Sequence, residues 1–395
     1  MHNSSMGLFG SMLCALLVVG CASAPVDREL SAAPASYAAL PNGNDPMQPD
    51  TPSNVYADLV TVPGENVVRS MERQRGHALN LLSISGGGQN GAFGAGFLNG
   101  WSESGNRPEF DIVGGVSTGA LLSTHALLGT EADNAELEEM YTQINKDDIY
   151  KGRSVFSILN GTDSLRDTTP LQALIAKYIK PETLVRVAEA YDQGRLLVVG
   201  TTNVDYGQTW VWNMSLIAKA GDLELYRKVL LASASFPVVF PPVEIDGHLF
   251  VDGAARSNVV VAGMGGKKRP GPPLFGSGNL FMINNGKDNH APEALRRALG
   301  PVAATTISVM MDQSMQTALS RSYFGAHFLG YDFKLVAIPD QVDIGHDPLA
   351  FDPSQMRAAF DAGREMGKME QPWLNSPPNV GDVPPWALRA IEESY

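Results

Sequence analysis

Three consecutive glycines, Gly86 to Gly88, stand between an apolar run, "ALNLLSIS", and a small-residue stretch that opens at Gly91. Side chains are removed where a strand turns into a helix, so the bare backbone itself is the group on offer there. Two chemistries use such a loop. Gly86-x-Gly88-x-x-Gly91 satisfies the dinucleotide fingerprint, with Asp111 near the distance of a ribose-binding acid. The same bare amides can instead hold an oxyanion.

A second glycine-flanked junction separates the two. Gly115-Val116-Ser117-Thr118-Gly119 lies between the strand-like "FDIV" and the helix-like "ALLSTHALL". G-x-S-x-G at such a place is the nucleophile-elbow pattern, with the serine on a sharp turn and Gly115 and Gly119 allowing close backbone approach. The following helix points its positive end at the developing negative charge. Ser117 is therefore the candidate nucleophile. Gly86, Gly87 and Gly88 are the candidate oxyanion donors, with the Thr118 amide assisting.

A serine hydroxyl needs a proton acceptor. His290, His327 and His346 all follow Asp252, so a Ser–His–Asp triad is formally open. His290 and His346 sit in polar loops, and His125 sits on the helix after the elbow. His248 precedes Asp252 by four residues on one strand, about 13 Å away at strand rise, too far for a hydrogen-bonded pair. Asp252 ends "HLFVDGAA", where small neighbours leave room. A partly buried carboxylate whose pKa is lifted toward neutrality can deprotonate serine directly.

These residues form an ordered set: "SGGGQNGAFGAG", "GVSTGA", "LLASASFPVVFPPV", then "VDGA". The set resembles the patatin-like phospholipase family, and "VVGTTNVDYGQTWVWNM" and "DPSQMRAAFDAGREMG" resemble its bacterial members. The similarity runs from about Leu79 to Trp373. It implies a three-layer α/β/α sandwich with a mainly parallel central sheet. It also implies a lipid acyl hydrolase with a Ser117–Asp252 dyad, a Gly86–Gly88 oxyanion hole and no cofactor. Many members carry Arg or Lys inside the glycine motif, where this chain has Gln89 and Asn90.

The rest of the chain agrees with that class. Strand-like and helix-like stretches alternate from Ala78 onward, as in sheets covered on both faces. Helices are expected over Gly91–Ser102, Leu165–Ile179, Leu223–Ala234, Val302–Leu319 and Pro353–Lys368. "FPVVFPP" either lines an acyl groove or packs in the core. The 395 residues carry a formal charge of −13, which argues against a nucleic-acid partner. No spacing suggests a metal site.

Residues Gly7–Gly20 form an apolar run with the length of a signal h-region rather than a membrane span. They end in "VVG" before Cys21, which resembles a lipoprotein signal and implies acylation of Cys21, although "MHNSSM" lacks the usual positive charge. Cys14 and Cys21 are the only cysteines, so no disulfide framework is expected. The expected organisation is a signal peptide over 1–20, a tether over 21–63 and a hydrolase domain over 64–395. The expected setting is the cell envelope, lipid-anchored at the outer membrane. Ordinary cleavage at "ASA" would instead give a periplasmic or secreted protein.

Overall fold

In the computed structural model, the described residues are 71–152, 164–260, 275–287, 297, 299–345, 347–378 and 380. The proposed leader, tether and Cys21, and His290 and His346 lie outside them.

One sheet organises the fold. Its strands are β1 (Asn80–Ile84), β2 (Ile112–Val116), β3 (Leu196–Asn203), β4 (Gln208–Asn213), β5 (Val243–Ile245), β6 (His248–Asp252), β7 (Gly278–Asn284) and β8 (Tyr331–Ala337). The order is β8-β7-β1-β2-β3-β6-β5, with β4 also paired to β3. From β8 to β3 all neighbours are parallel, whereas β4, β6 and β5 join antiparallel. The central strands β1 and β2 are almost wholly buried, which requires helices on both faces.

Those helices are α1 (Gly91–Glu103), α2 (Thr118–Leu128), α3 (Glu131–Thr142), α4 (Thr169–Tyr178), α5 (Pro181–Asp192), α6 (Met214–Lys219), α7 (Leu223–Ser233), α8 (Leu299–Leu329) and α9 (Pro353–Gly367). Two apolar clusters follow from the two faces of the sheet. The larger holds Leu82, Ile84, Phe93, Phe97, Leu197 and Phe360, the smaller Leu81, Ile112, Val198, Leu280 and Leu319. Alternate residues of one strand thus fall into opposite layers, as the period-two pleat demands. This is a three-layer α/β/α sandwich around a mainly parallel sheet.

Several boundaries depart from expectation. α8 runs ten residues past Leu319, to Leu329. The stretch expected to be helical from Leu165 begins instead with Arg166–Asp167 in a two-residue strand paired to Lys151–Gly152, and α4 starts at Thr169. α3 and α5 were not anticipated, because their charged faces weaken the apolar pattern. Both begin at capped ends: Thr130 accepts from the Asp133 amide, and Pro181 opens α5.

α1 and α9 pack unusually close. A Cβ on Gly96 or Gly100 would overlap the carbonyls of Phe360 or Arg364, and one on Gly363 or Gly367 would overlap those of Phe93 or Phe97. Each helix therefore lays its glycines on the other's backbone. No helix among the described residues is long and apolar enough to cross a membrane.

Candidate active site

Strand register is what brings distant residues together. β3 is flanked by β4 along one edge, from Val198 opposite Asn213 to Asn203 opposite Gln208. Its other edge is shared: β2 runs parallel along it until Val116 meets Gly200, and β6 runs antiparallel until Asp252 meets Thr201. The two strands approach from opposite directions and end on adjacent positions of β3. Ser117 is the next residue after Val116, so nucleophile and acid emerge side by side.

Ser117 has φ 55° and ψ −126°, a region that L-residues rarely occupy. Such backbones cost about 1–3 kcal/mol and persist only where surroundings enforce them. Here the glycines permit the fold-back. A Cβ on Gly119 would overlap the Ile84 carbonyl at the end of β1, and one on Gly115 would overlap the Gly119 carbonyl. The Ser117 amide donates to Ser233 Oγ at 2.9 Å, and Ser233 Oγ donates to the Gly200 carbonyl at 2.7 Å.

Asp252 is 1% exposed; its carboxylate faces the Ser117 hydroxyl and accepts from the Ala254 amide at 2.9 Å. Burial pushes its pKa from 3.8 up to about 7, while the hydrogen bonds from Ser117 and Ala254 pull the other way. Its own amide donates to the Ser235 carbonyl at 2.8 Å. Ser235, the residue just before the "FPVVFPP" segment, therefore helps to place the acid. The segment's two phenylalanines, Phe236 and Phe240, are buried in the core, and Val238 alone is well exposed.

The glycine loop lies against this pair. A Cβ on Gly86 would stand 2.9 Å from Ser117 Cβ. The Gly86 amide already donates to Asn258 Oδ1 at 2.8 Å. The amides of Gly87, Gly88 and Thr118 have no acceptor among the described residues. Gly88 has φ 57° and backs onto the Pro348 carbonyl, so a side chain is excluded there by conformation and by space.

Gln89, where family members often carry a cation, is 1% exposed. Its amide N–H donates to the Pro348 carbonyl at 2.8 Å. Its side-chain Nε2 donates to the Ile344 carbonyl and Gln355 Oε1, and its Oε1 accepts from the Asp352 amide. The segment before α9 is thereby strapped over the loop. Asn285 supports it from below, donating to the Ser85 carbonyl and accepting from the Gly94 amide. Ser233, Asn258 and Asn285 escaped the sequence reading, because only the fold shows that they touch catalytic backbone.

Among the described residues, the groups acting on the Asp252 carboxylate include no histidine. His125 bonds Glu136 at 2.8 Å, His248 lies against Asp205 and the Tyr206 ring, and His327 packs on Tyr323. Asp111 begins β2 at the end of the strand opposite Ser117, where Arg75 bonds it at 2.7 Å. It is thus remote from the glycine loop, and the ribose-acid reading fails on geometry. One cluster unforeseen from spacing does form: His125, Asp133 and Glu136 bring ligand-type atoms within 4.8 Å. Asp133, however, already accepts two hydrogen bonds from Arg186 and caps α3, so its oxygens are engaged by a cation of the protein's own.

Residues 82–264 match the model of the patatin-like phospholipase family. "Uncharacterized protein R571" of Acanthamoeba polyphaga mimivirus is 24% identical over 180 residues, 45% of this chain. The chain spans 58% of the length of that curated relative. The crystal structure of VipD from Legionella pneumophila aligns over 75% of this chain and 67% of its own, at 13% identity and a TM-score of 0.37. The segment that holds the glycine loop, Ser117 and Asp252, residues 82–264, is a patatin-like phospholipase domain.

Proposed function

We propose that this protein is a lipid acyl hydrolase in which Ser117 attacks the ester carbonyl and Asp252 is the proton acceptor. The observation that carries the reading is the strand register that sets Ser117, on its strained turn, beside a buried carboxylate whose pKa burial lifts to about 7. A base poised near neutrality balances ionisation against proton affinity. Asp252 takes the Ser117 proton as Oγ adds to the carbonyl carbon. The oxyanion is held by the open amides of Gly87, Gly88 and Thr118, each donor lowering the barrier by roughly 3 kcal/mol. Asp252 then returns the proton to the departing alcohol, leaving the acyl group on Ser117. A water molecule, deprotonated by the same carboxylate, releases a fatty acid and restores the serine.

Purified protein should hydrolyse a chromogenic acyl ester, and a fluorophosphonate probe should label Ser117. Ser117→Ala and Asp252→Asn should each lower kcat by at least a thousandfold while retaining native circular dichroism. Turnover near wild type in either folded variant would overturn the dyad. Absence of labelling in the active-site serine would favour a silent protein on the same fold.

The membrane setting belongs to the same proposal. Acylation at Cys21 would tether the domain to the envelope, since one acyl chain binds a bilayer marginally and two or more hold it firmly. Cys21→Ala should move the protein from the membrane pellet to the soluble fraction without changing turnover on a soluble ester.

A further inference from the structure

We propose that Ser233 is a positioning residue for the nucleophile: its hydroxyl takes the place of one strand hydrogen bond and so turns Ser117 out of the sheet toward Asp252. The inference rests on the Ser117–Asp252 reading above.

The β2–β3 ladder carries the argument. Leu196 N–H donates to the Asp111 carbonyl at 2.8 Å, which sets the phase of this parallel ladder. With Ile112 opposite Leu196 and Val116 opposite Gly200, donors on the β2 side recur every second residue. Val113 and Gly115 come first, and Ser117 is next. The acceptor that a continuing strand would give the Ser117 amide is the Gly200 carbonyl. That bond is not made directly. Ser233 Oγ stands between the two, accepting from the Ser117 amide at 2.9 Å and donating to the Gly200 carbonyl at 2.7 Å.

One hydroxyl thus spreads the ladder at the point where the chain leaves the strand. Both backbone groups stay satisfied, as buried polar groups must. Ser233 is the last residue of α7 and is fully buried, so helix and sheet together fix the hydroxyl. Its own proton is directed at Gly200, which leaves Ser233 no part as a rival nucleophile. Without the hydroxyl, the Ser117 amide either closes directly on the Gly200 carbonyl, drawing Ser117 back into the strand, or is left unpaired beside it. Both outcomes loosen the contact between Ser117 Oγ and Asp252.

The test is steady-state kinetics on a chromogenic acyl ester from pH 5 to 9, for wild type, Ser233→Ala, Ser233→Cys and Ser117→Ala, with circular dichroism as a folding control. Ser233→Ala should lower kcat at least tenfold with KM within twofold. Its acid limb should move to higher pH, because Asp252 loses the serine hydrogen bond that holds its pKa down. A merely destabilised enzyme would lose active fraction without moving that limb. Ser233→Cys, nearly the same size and a weaker hydrogen-bonding group, should fall between. Folded Ser233→Ala with wild-type kcat and acid limb would overturn the inference. Should Ser233→Ala fail to fold, an unmoved limb in Ser233→Cys would overturn it, and a raised limb would support it. Residual turnover in Ser117→Ala would instead remove the reading on which the inference rests.

Discussion

At Asp252, burial and hydrogen bonding pull the carboxylate in opposite directions, and burial dominates. Its folded pKa of about 7 lies above the ordinary value, so the folded state binds the extra proton between roughly pH 4 and 7. The penalty for an ionised, buried carboxylate is therefore absent below pH 4, grows through that window and is complete above pH 7. Two outcomes follow. Hydrolysis, which needs the ionised form, should rise through an acid limb centred near pH 7. Asp252→Asn should gain stability over wild type as pH rises from 4 to 8, by at most on the order of 4 kcal/mol, read from urea unfolding at each pH. An equal difference at pH 4 and pH 8 would contradict the elevated pKa. The site thus trades stability for a base that works at neutral pH, a common feature of active sites.

At the scale of elements, the contact between α1 and α9 decides how firmly the glycine loop is held, because α1 begins where the loop ends. Gly363→Ala would drive a methyl into the Phe93 carbonyl. The gain in helix propensity of about 1 kcal/mol is outweighed by overpacking of roughly 1–3 kcal/mol or more against rigid backbone. The variant should melt at lower temperature than wild type, as differential scanning calorimetry would report. Gln89→Ala, which cuts three side-chain hydrogen bonds, two to the segment before α9 and one to Gln355 in its first turn, should lower kcat more than it raises KM. Stopped assays at saturating ester would show it.

Much of this scale was legible in advance. The junctions at Gly86–Gly91 and Ser117 stand out because strand-like residues run straight into glycines, and the register of β2 needs no more than that. What the residues could not reveal was the helix-to-helix glycine contact. Gly96 and Gly100 have the same spacing as many helical glycines, and nothing in them names Gly363 and Gly367 as partners. Ser233 was likewise hidden, since a serine ending a helix looks like any other until the strand beside it is known.

Across the whole molecule, the family match ends at residue 264, yet the sheet and the site continue past it. β7 and β8 extend the same sheet, Asn285 holds the loop from one side, and the segment from Ile344 to Gln355 holds it from the other. A chain ending at Ile338 keeps Ser117, Asp252 and the glycine loop but loses the strap and α9. It should show no ester turnover and weaker cooperativity in thermal unfolding. The two motifs that carry Ser117 and Asp252 were readable in the sequence, whereas the residues that brace them are scattered singly over later positions with no local signature.

β2 and β6 end on neighbouring positions of β3 after arriving from opposite ends, and this has a consequence for how such a chain can change. The loops threaded between the end of α2 and β6, outside β3, α7 and the Ser235 contact, can lengthen or shrink without shifting where the serine and the acid come to rest. Removing a single residue from within β6, by contrast, would turn the acid to the other face of the sheet. Evolution is thus free to remodel the intervening loops for new substrates, while one missing codon in a five-residue strand would silence the chemistry.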